Sequence, residues 1–429
     1  MKRRDFLKSS AALAAMTFLS SPAWALAKNG KLRTAHIGVG GKGESNLNLI
    51  ASHPDVEVAA LCDVDSKRLA AASKNYPNAK LYSDYRKLMD EMGDSIDAVV
   101  VSTPDHTHAP ASLMAMNMGK SVFCEKPLTH HVSEAREMRS LAAEKKLHTQ
   151  MGIQCHSSDM YKKAVVLIQQ GIIGKVSSVR AWSNKNWGFD GPAPTGSDPI
   201  PETLDWNLWL GTSPERAYKD GMYHPANWRK ILDYGCGTLG DMGVHIFDTP
   251  YTALELDVPR TIKTICRDAT GFGHPEKNVV EYRFPGTKYT TKTLRWIWYD
   301  GVGAPGEHKD LILPGDDKLP EQGAVFVGEN GRLLLPHWDY PKLIVDGKYK
   351  DIDFPEISDD DHYHQFVDAC LGKDQCSAPF SYGARLSEAI LLGVIANRFP
   401  NKTLHWDNLA AEFREKEANE LLDSVYREF

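Results

Sequence analysis

Short apolar runs alternate with segments of helical periodicity through the first third of the chain. Strands are predicted at residues 34–37, 56–61, 80–82, 98–101 and 121–124, with a sixth leading into residues 150–156. Helices are predicted at residues 44–53, 65–74, 85–92, 106–118 and 132–146. Strands that are apolar along their whole length and separated by helices are typical of a parallel sheet covered on both faces. The pattern therefore predicts an α/β fold with a doubly wound parallel sheet.

Strand-like alternation dominates the rest of the chain. Strands are predicted at residues 176–182, 291–299 and 324–335, and helices at residues 158–170 and 385–398. Trp296 and Trp298 are two residues apart, so they share one strand face, which we expect to pack against a helix layer. Residues 191–201 are rich in proline and are expected to form an ordered loop without regular structure.

The junction between the first strand and the first helix carries a G-x-G-x-x-G motif at residues 38–43. The first glycine permits a tight turn, the second lets the backbone approach a pyrophosphate, and the third lets helix and strand pack closely. The helix start offers N–H donors and the positive end of its dipole to phosphates. Asp63 follows the next strand, where a carboxylate accepts hydrogen bonds from a ribose diol. In this context the motif predicts a dinucleotide site.

Asp63 also bears on the choice of cofactor. A carboxylate at this position repels a 2′-phosphate, so NAD is favoured and NADP is less favoured. The nearest basic residues are Lys67 and Arg68, which are expected in the turn into the following helix.

Two further loops follow predicted strands at residues 102–108 and 125–127. Both lie at carboxyl ends of strands, where open α/β sheets bind ligands. Lys126 could be a solvated surface charge. Near a cationic nicotinamide it could instead be a donor with a lowered pKa.

At this point the sequence resembles the Gfo/Idh/MocA oxidoreductases, over nearly all of the chain beyond residue 27. The resemblance rests on residues 38–43, Asp63, the loop from Thr103 to His108, residues 125–127 and residues 240–245. It implies a Rossmann domain at residues 31–152 and an α+β substrate domain at residues 153–429. The second domain is expected to hold a large, mostly antiparallel open sheet, and its final helices could pack back on the first domain.

The resemblance also implies roles for individual residues. Lys126 matches a lysine that contacts both cofactor and substrate, His245 matches the catalytic histidine, and Asp241 matches the carboxylate four residues before it. Residues at i and i+4 share a helix face, so Asp241 and His245 can point into one cleft. The cofactor-binding residues predicted from these motifs are Gly38, Gly40, Gly41, Lys42, Gly43, Asp63, Thr103, Pro104, His108, Glu125 and Lys126.

Aromatic residues concentrate between residues 182 and 228, which hold five of the ten tryptophans. Flat aromatic faces suit the C–H faces of sugar rings, although core packing explains most aromatic residues equally well. Trp206 and Trp209 are interpreted as packing residues. The substrate-binding candidates are Gln154, Trp187, His224 and Arg229.

The first 27 residues have the order of an export signal. Adjacent arginines in Arg-Arg-x-Phe-Leu-Lys precede a short apolar run and small residues suited to cleavage near Ala25 or Ala27. The arginine pair resembles the signal read by the twin-arginine export machinery. We therefore expect a periplasmic protein that is exported folded, with its cofactor already bound.

Composition excludes several classes of protein. The chain has 429 residues, 42% of them hydrophobic and 25% charged, and a net charge of −6, which is typical of a globular protein without a nucleic-acid partner. No apolar stretch is long enough to span a membrane. The seven cysteines have neither disulfide-scaffold nor zinc-site spacing. The acidic run at residues 359–361 is interpreted as a helix start, and no metal site is predicted.

The leading hypothesis is an oxidoreductase that transfers a hydride between a sugar, sugar derivative or cyclitol hydroxyl and a tightly bound nicotinamide cofactor. A second hypothesis is redox-neutral glycoside cleavage or epimerisation through a transient keto-sugar. The third is a carbohydrate-binding scaffold without turnover. A homodimer or homotetramer through the open sheet is a further hypothesis.

Overall fold

The computed structural model describes residues 30–429. The predicted export signal and its cleavage sites fall within residues 1–27 and so lie outside the described residues. Within residues 30–429, no helix combines the length and the apolar character needed to cross a membrane.

Six parallel strands form the first sheet, in the order β3-β2-β1-β4-β5-β6. They are β1 Leu32–Ile37, β2 Val56–Cys62, β3 Lys80–Tyr82, β4 Ala98–Val101, β5 Ser121–Glu125 and β6 Thr149–Gly152. Every residue of β4 and β5 is buried, as their uninterrupted apolar pattern predicts. This arrangement confirms the predicted doubly wound sheet.

Five helices connect these strands. They are α1 Lys42–Ala51, α2 Ser66–Ser73, α3 Tyr85–Met92, α4 Asp105–Asn117 and α5 Val132–Lys145. Asp65 caps α2 and Asp84 caps α3, each accepting a hydrogen bond from a backbone N–H in the first turn. These caps place the start of each helix at the carboxyl edge of the sheet.

Ten strands form the second sheet, in the order β14-β13-β12-β11-β7-β10-β9-β8-β15-β16. They are β7 Val176–Ser183, β8 Thr261–Ile265, β9 Asn278–Pro285, β10 Thr290–Asp300, β11 Gln322–Gly328, β12 Arg332–Pro336, β13 Lys342–Val345, β14 Lys348–Lys350, β15 Thr403–Asp407 and β16 Glu412–Phe413. Neighbouring strands are antiparallel except for the parallel pair of β7 and β10. The predicted mostly antiparallel open sheet is therefore confirmed.

The remaining helices cover the two sheets. They are α6 Asp159–Gln169, α7 Trp206–Leu210, α8 Val244–Ala253, α9 His362–Cys370, α10 Phe380–Ala396 and α11 Lys416–Asn419. Phe247 of α8 packs on Trp296, with ring centroids 4.0 Å apart, so the tryptophan face of β10 does meet a helix. Residues 191–201 have no regular structure, as predicted.

Helix α9 packs on the first sheet although it lies more than 200 residues further along the chain. Phe366 contacts Phe123 of β5 with ring centroids 5.8 Å apart, in one buried cluster with Val100. Asp361 begins this helix by accepting hydrogen bonds from the N–H groups of Tyr363 and His364. Residues of α9 thus complete the core on one face of the first sheet. The domain boundary at residue 152 stays a prediction.

Candidate functional site

A cavity of about 640 Å³ opens at the carboxyl edge of the parallel sheet and extends to the second sheet. It is lined by most of the residues that the sequence singled out, namely Gly38, Gly40, Gly41, Lys42, Asp63, Thr103, Pro104, His108, Glu125, Lys126, Gln154, His224, Arg229, Asp241 and His245. Gly43 and Trp187 are not among its lining residues. The dinucleotide motif and the proposed reacting residues therefore share one cavity.

The glycine turn leaves no room for a side chain at Gly38 or Gly43. Gly38 has a φ of +81°, and a Cβ there would come within 2.7 Å of the Ser102 carbonyl oxygen. A Cβ on Gly43 would overlap the carbonyl oxygen of Gly38. Gly40, Gly41 and Lys42 line the cavity, so the start of α1 faces it, which fits a pyrophosphate.

Asp63 lies directly after β2 and is only 9% exposed. Its Oδ2 accepts a hydrogen bond from the N–H of Val39 at 2.9 Å, and its Oδ1 accepts one from the N–H of Asp65 at 2.9 Å. Burial raises the pKa of Asp63, although the two backbone hydrogen bonds oppose this shift. The carboxylate is thus fixed beside the glycine turn, which suits recognition of a ribose diol.

His108 joins the two loops that follow β4 and β5. Its Nδ1 lies 2.9 Å from the carbonyl oxygen of Pro127, and its Nε2 lies 2.9 Å from that of Thr103. Two carbonyl acceptors facing the two ring nitrogens favour the positively charged, doubly protonated form of the ring. Burial opposes that charge, but Cys124 and Asp105 help to raise the pKa of His108 to about 10.

Polar contacts tie the glycine turn to the rest of the site. Nδ2 of Asn46 donates to Ser102 Oγ at 2.9 Å and to Glu125 Oε1 at 2.8 Å. Nζ of Lys42 donates to the hydroxyl of Tyr363 at 2.8 Å, so α9 also supports this end of the cavity. Neither Asn46 nor Tyr363 was predicted from the sequence to take part in the site.

Lys126, Asp241 and Arg229 form a charged cluster. Lys126 Nζ donates to both Oδ1 and the carbonyl oxygen of Asp241, each at 2.8 Å, and Arg229 Nε donates to the same Oδ1 at 3.2 Å. Burial alone would raise the pKa of Asp241, but the two cations outweigh it and hold that pKa well below its usual range. Asp241 is therefore ionised and holds the lysine in the cavity.

Asp241 and His245 do not lie on one regular α-helix. Asp241 belongs to a π-helical turn, Leu239–Gly243, and His245 belongs to α8. A wider turn changes the angular spacing that the sequence argument assumed, yet both side chains line the cavity. Within this turn a Cβ on Gly240 would overlap the side chain of Cys236, so the close packing here requires glycine.

The side chain of His245 is buried, with 7% of its surface exposed. Its Nδ1 lies 3.2 Å from the sulfur of Cys155, which leaves Nε2 as the nitrogen that can meet a ligand. Burial, reinforced by the charge of Lys126, lowers the pKa of His245 well below its ordinary value. The ring is therefore neutral at neutral pH and able to accept a proton.

The predicted substrate residues occupy different positions. Gln154 presents a buried Oε1 that has no hydrogen-bond partner within residues 30–429. His224 Nε2 lies 3.2 Å from Asp65 Oδ2, next to the dinucleotide end. Trp187 lies behind Arg229, whose guanidinium is 5.5 Å from its ring centroid, and does not line the cavity.

Several lining residues were missed by the sequence argument. They are Arg68, Lys185, His337 and Trp338. His337 and Trp338 lie in the turn after β12, where no motif marks them. Their position depends on how the second sheet is paired, which a single sequence does not reveal.

Metal and disulfide chemistry have no visible basis in the described part of the chain. Residues 30–429 contain no group of three or more His, Cys, Asp or Glu side chains arranged to hold a metal ion. All seven cysteines are free.

Comparison with known proteins assigns the family. Residues 32–153 match the Gfo/Idh/MocA model described as an oxidoreductase family with an NAD-binding Rossmann fold, and residues 159–283 match the C-terminal alpha/beta domain of the same family. The chain belongs to the Gfo/Idh/MocA oxidoreductase family. Residues 1–20 match the twin-arginine translocation signal, which indicates export to the periplasm as predicted.

Curated relatives of this family match over part of their length. A glycosyl hydrolase family 109 protein from Stenotrophomonas maltophilia is 32% identical over 197 residues, which is 42% of this chain and 42% of that protein. An inositol 2-dehydrogenase from Salmonella paratyphi B is 33% identical over 150 residues, 34% of this chain and 43% of that protein. The chain thus spans less than half the length of these relatives in the matched regions.

A solved structure supports the fold over most of the chain. An inositol dehydrogenase homolog from Azotobacter vinelandii, complexed with NADH and myo-inositol, superimposes with a TM-score of 0.62. It is 16% identical, and the match covers 90% of this chain and 99% of that one. The likeness shows that the two proteins share the fold across both sheets.

Proposed function

We propose that the protein is an NAD-dependent oxidoreductase that transfers a hydride between a sugar, sugar derivative or cyclitol hydroxyl and a tightly bound nicotinamide cofactor. The observation that carries this proposal is the convergence of Lys126, Asp241 and His245 in the cavity that also contains the glycine turn and Asp63. A general base, a cation and a dinucleotide cradle are the groups that oxidation of an alcohol requires.

The residues around the glycine turn fit an adenine dinucleotide. The backbone N–H groups at the start of α1 would hold the pyrophosphate, and Asp63 would accept hydrogen bonds from the adenosine ribose. The loops at Thr103 and Glu125, which His108 and Asn46 hold together, would border the nicotinamide half. A fixed carboxylate at residue 63 favours NAD over NADP. The bound cofactor supplies hydride transfer.

His245 is assigned as the general base. Its Nε2 would accept the proton of the reacting hydroxyl while the carbinol carbon is oxidised. Its neutral state follows from burial and from the charge of Lys126. In the reverse direction the same nitrogen would return the proton.

Lys126 is assigned as the residue that binds the reacting oxygen of the substrate. Its ammonium group, held by Asp241 at 2.8 Å, would stabilise the negative charge that develops as the hydroxyl proton leaves. Asp241 in turn keeps the lysine oriented and offsets part of its charge. Gln154 Oε1, buried without a protein partner in the described region, is suited to accept a hydrogen bond from a second substrate hydroxyl.

The names of the relatives support a sugar or cyclitol substrate. They include inositol 2-dehydrogenase and a levoglucosan dehydrogenase from Pseudarthrobacter phenanthrenivorans, which is 23% identical over 188 residues. The glycosyl hydrolase family 109 relative favours a second candidate, a redox-neutral cycle of oxidation, elimination and reduction. His245 could serve there too, because oxidation of one carbon acidifies the neighbouring C–H bond.

One assay separates these candidates. The protein is purified, its bound nicotinamide absorbance is recorded, and a panel of monosaccharides, cyclitols and glycosides is added. Lasting reduction of the bound cofactor supports net oxidation, whereas product release without lasting reduction supports the redox-neutral cycle. If the protein contains no bound cofactor and does not respond to sugar or to added NAD, the remaining hypothesis is a carbohydrate-binding scaffold without turnover.

A further inference from the structure

Trp338 is a large aromatic residue that lines the cavity and remains partly exposed to solvent. It is 46% exposed and lines the cavity from the turn after β12. Its backbone has a φ of +59°, a conformation that bulky residues rarely adopt. Its ring stacks on that of Tyr161, with centroids 6.1 Å apart and planes 26° apart. The indole is therefore fixed in position although much of it faces solvent.

A row of rings leads from the reacting centre to Trp338. The ring centroid of His337 lies 5.8 Å from that of His245. The ring centroid of Trp338 lies 5.8 Å from that of His337. Each step is comparable to the width of one sugar ring. A sugar ring that reacts at His245 would therefore leave Trp338 uncovered, and a second ring linked to it would reach the indole.

We propose that Trp338 forms a second sugar subsite and that the substrate is a disaccharide or a longer glycoside, oxidised in the ring next to His245. This inference rests on the function proposed above and narrows its substrate class. The open indole would cover the C–H face of the second ring, as aromatic faces do, while its N–H edge remains available to a hydroxyl.

Polar groups between the two subsites fit sugar hydroxyls. Lys185 lines the cavity, and its Nζ has the thioether sulfur of Met242 as an acceptor at 3.3 Å, which is a weak acceptor. Its N–H groups are thus able to donate to a better partner. His337 is neutral, because burial and the charges of Lys185 and Lys126 lower its pKa to about 4. Nδ1 of His337 lies 2.5 Å from the hydroxyl of Tyr161, so Nε2 of His337 and the ammonium group of Lys185 are the groups that can bind sugar hydroxyls.

The test is isothermal titration calorimetry on the purified cofactor-bound protein with matched sugars. The pairs are glucose with cellobiose and maltose, galactose with lactose, and xylose with xylobiose. Absorbance at the nicotinamide wavelength is followed in parallel. Trp338→Asn removes the aromatic face with a residue that tolerates positive φ. Trp338→Phe keeps a face, and Tyr349→Ala removes an aromatic residue that is 37% exposed and lies outside the cavity.

We expect at least one disaccharide to bind more tightly than its monosaccharide. Trp338→Asn should weaken that disaccharide by about threefold to tenfold and leave the monosaccharide unchanged, whereas Trp338→Phe and Tyr349→Ala should keep the preference. Equal binding of every pair, an equal loss for both sugars in Trp338→Asn, or no sugar binding at all would overturn the proposal. A preference that depends on Trp338 without any lasting change in absorbance would keep the subsite and refute net oxidation of the sugar. Cofactor reduction without a preference for the disaccharide would support the oxidoreductase function and refute the second subsite.

Discussion

The sulfur of Cys155 lies 3.2 Å from Nδ1 of His245. Both groups are buried, and burial raises the pKa of the Cys155 thiol well above its ordinary value, so the sulfur is uncharged. If Nε2 is to accept a proton from substrate, Nδ1 must carry the ring hydrogen, and the sulfur is the acceptor beside it. Cys155 therefore positions His245 without contacting the substrate.

Replacing Cys155 tests this relationship. Cys155→Val removes the acceptor while keeping an apolar side chain, and kcat should fall about twofold to tenfold with little change in the affinity for NAD. Cys155→Ser restores an acceptor and should recover most of the rate. Steady-state kinetics across pH give the readout, because the Val variant should also shift the acid limb of kcat. Equal rates in all three proteins would show that the contact is structural only.

The pH dependence of the reaction follows from the environment of His245. Burial and the charge of Lys126 lower its pKa, so the base stays unprotonated at pH values where an exposed histidine is already charged. The acid limb of kcat/KM should therefore lie below pH ~6.5. A pH–rate profile on the cofactor-loaded enzyme measures this. A half-maximal value at the ordinary histidine pKa would contradict the assignment.

Asp63 is expected to decide between the two nicotinamide cofactors. Asp63→Ser removes the carboxylate, so NAD should bind about tenfold to 100-fold more weakly, while discrimination against NADP should shrink. Fluorescence titration with both cofactors measures the ratio. Asp90→Ser on the exposed face of α3 is the matched control. An unchanged NAD-to-NADP ratio in Asp63→Ser would remove residue 63 from cofactor selection.

Asp300 at the end of β10 makes stability depend on pH. Burial raises its pKa to about 8, and its Oδ2 accepts a hydrogen bond from Nε1 of Trp298 at 2.7 Å. The folded protein therefore keeps a proton on Asp300 that the unfolded chain releases above pH ~4. The free energy of unfolding should fall as the pH rises from ~4 to about 8. Asp300→Asn keeps the acceptor and should remove this loss.

Thermal unfolding at pH 5 and pH 8 tests that expectation. At pH 8 the Asn variant should be more stable relative to the wild type, by roughly 3 kcal/mol more than it is at pH 5. The wild type should lose stability between pH 5 and pH 8, because unfolding releases the proton that buried Asp300 holds. The same pH response in both proteins would rule out Asp300 as its source.

The sequence predicted the parts of the molecule that depend on local pattern. The strand β4 is apolar along its length, and the glycine turn follows β1 directly, so both could be located without tertiary contacts. Lys126, Asp241 and His245 came from the family resemblance, and the cavity contains all three. The π-helical turn at residue 241 was not predicted, because its glycines also suit an ordinary helix end.

The substrate end could not be predicted to the same extent. Trp187 was selected because aromatic residues cluster near it, but it packs against Arg229 and is not among the residues that line the cavity. Trp338 lies 93 residues beyond His245, in a turn whose location depends on the pairing of β11 and β12 with β7. Strand pairing over such distances leaves no local signal in one sequence.

The function proposed for this protein requires one cavity that holds a dinucleotide against Lys126 and His245. Its most direct test is the nicotinamide absorbance of the purified protein on addition of sugar, in the wild type and in His245→Ala and Lys126→Ala. All three proteins should contain bound NAD, the wild type should reduce it, and each variant should do so about 100-fold or more slowly. Reduction at the wild-type rate in either variant would contradict the account.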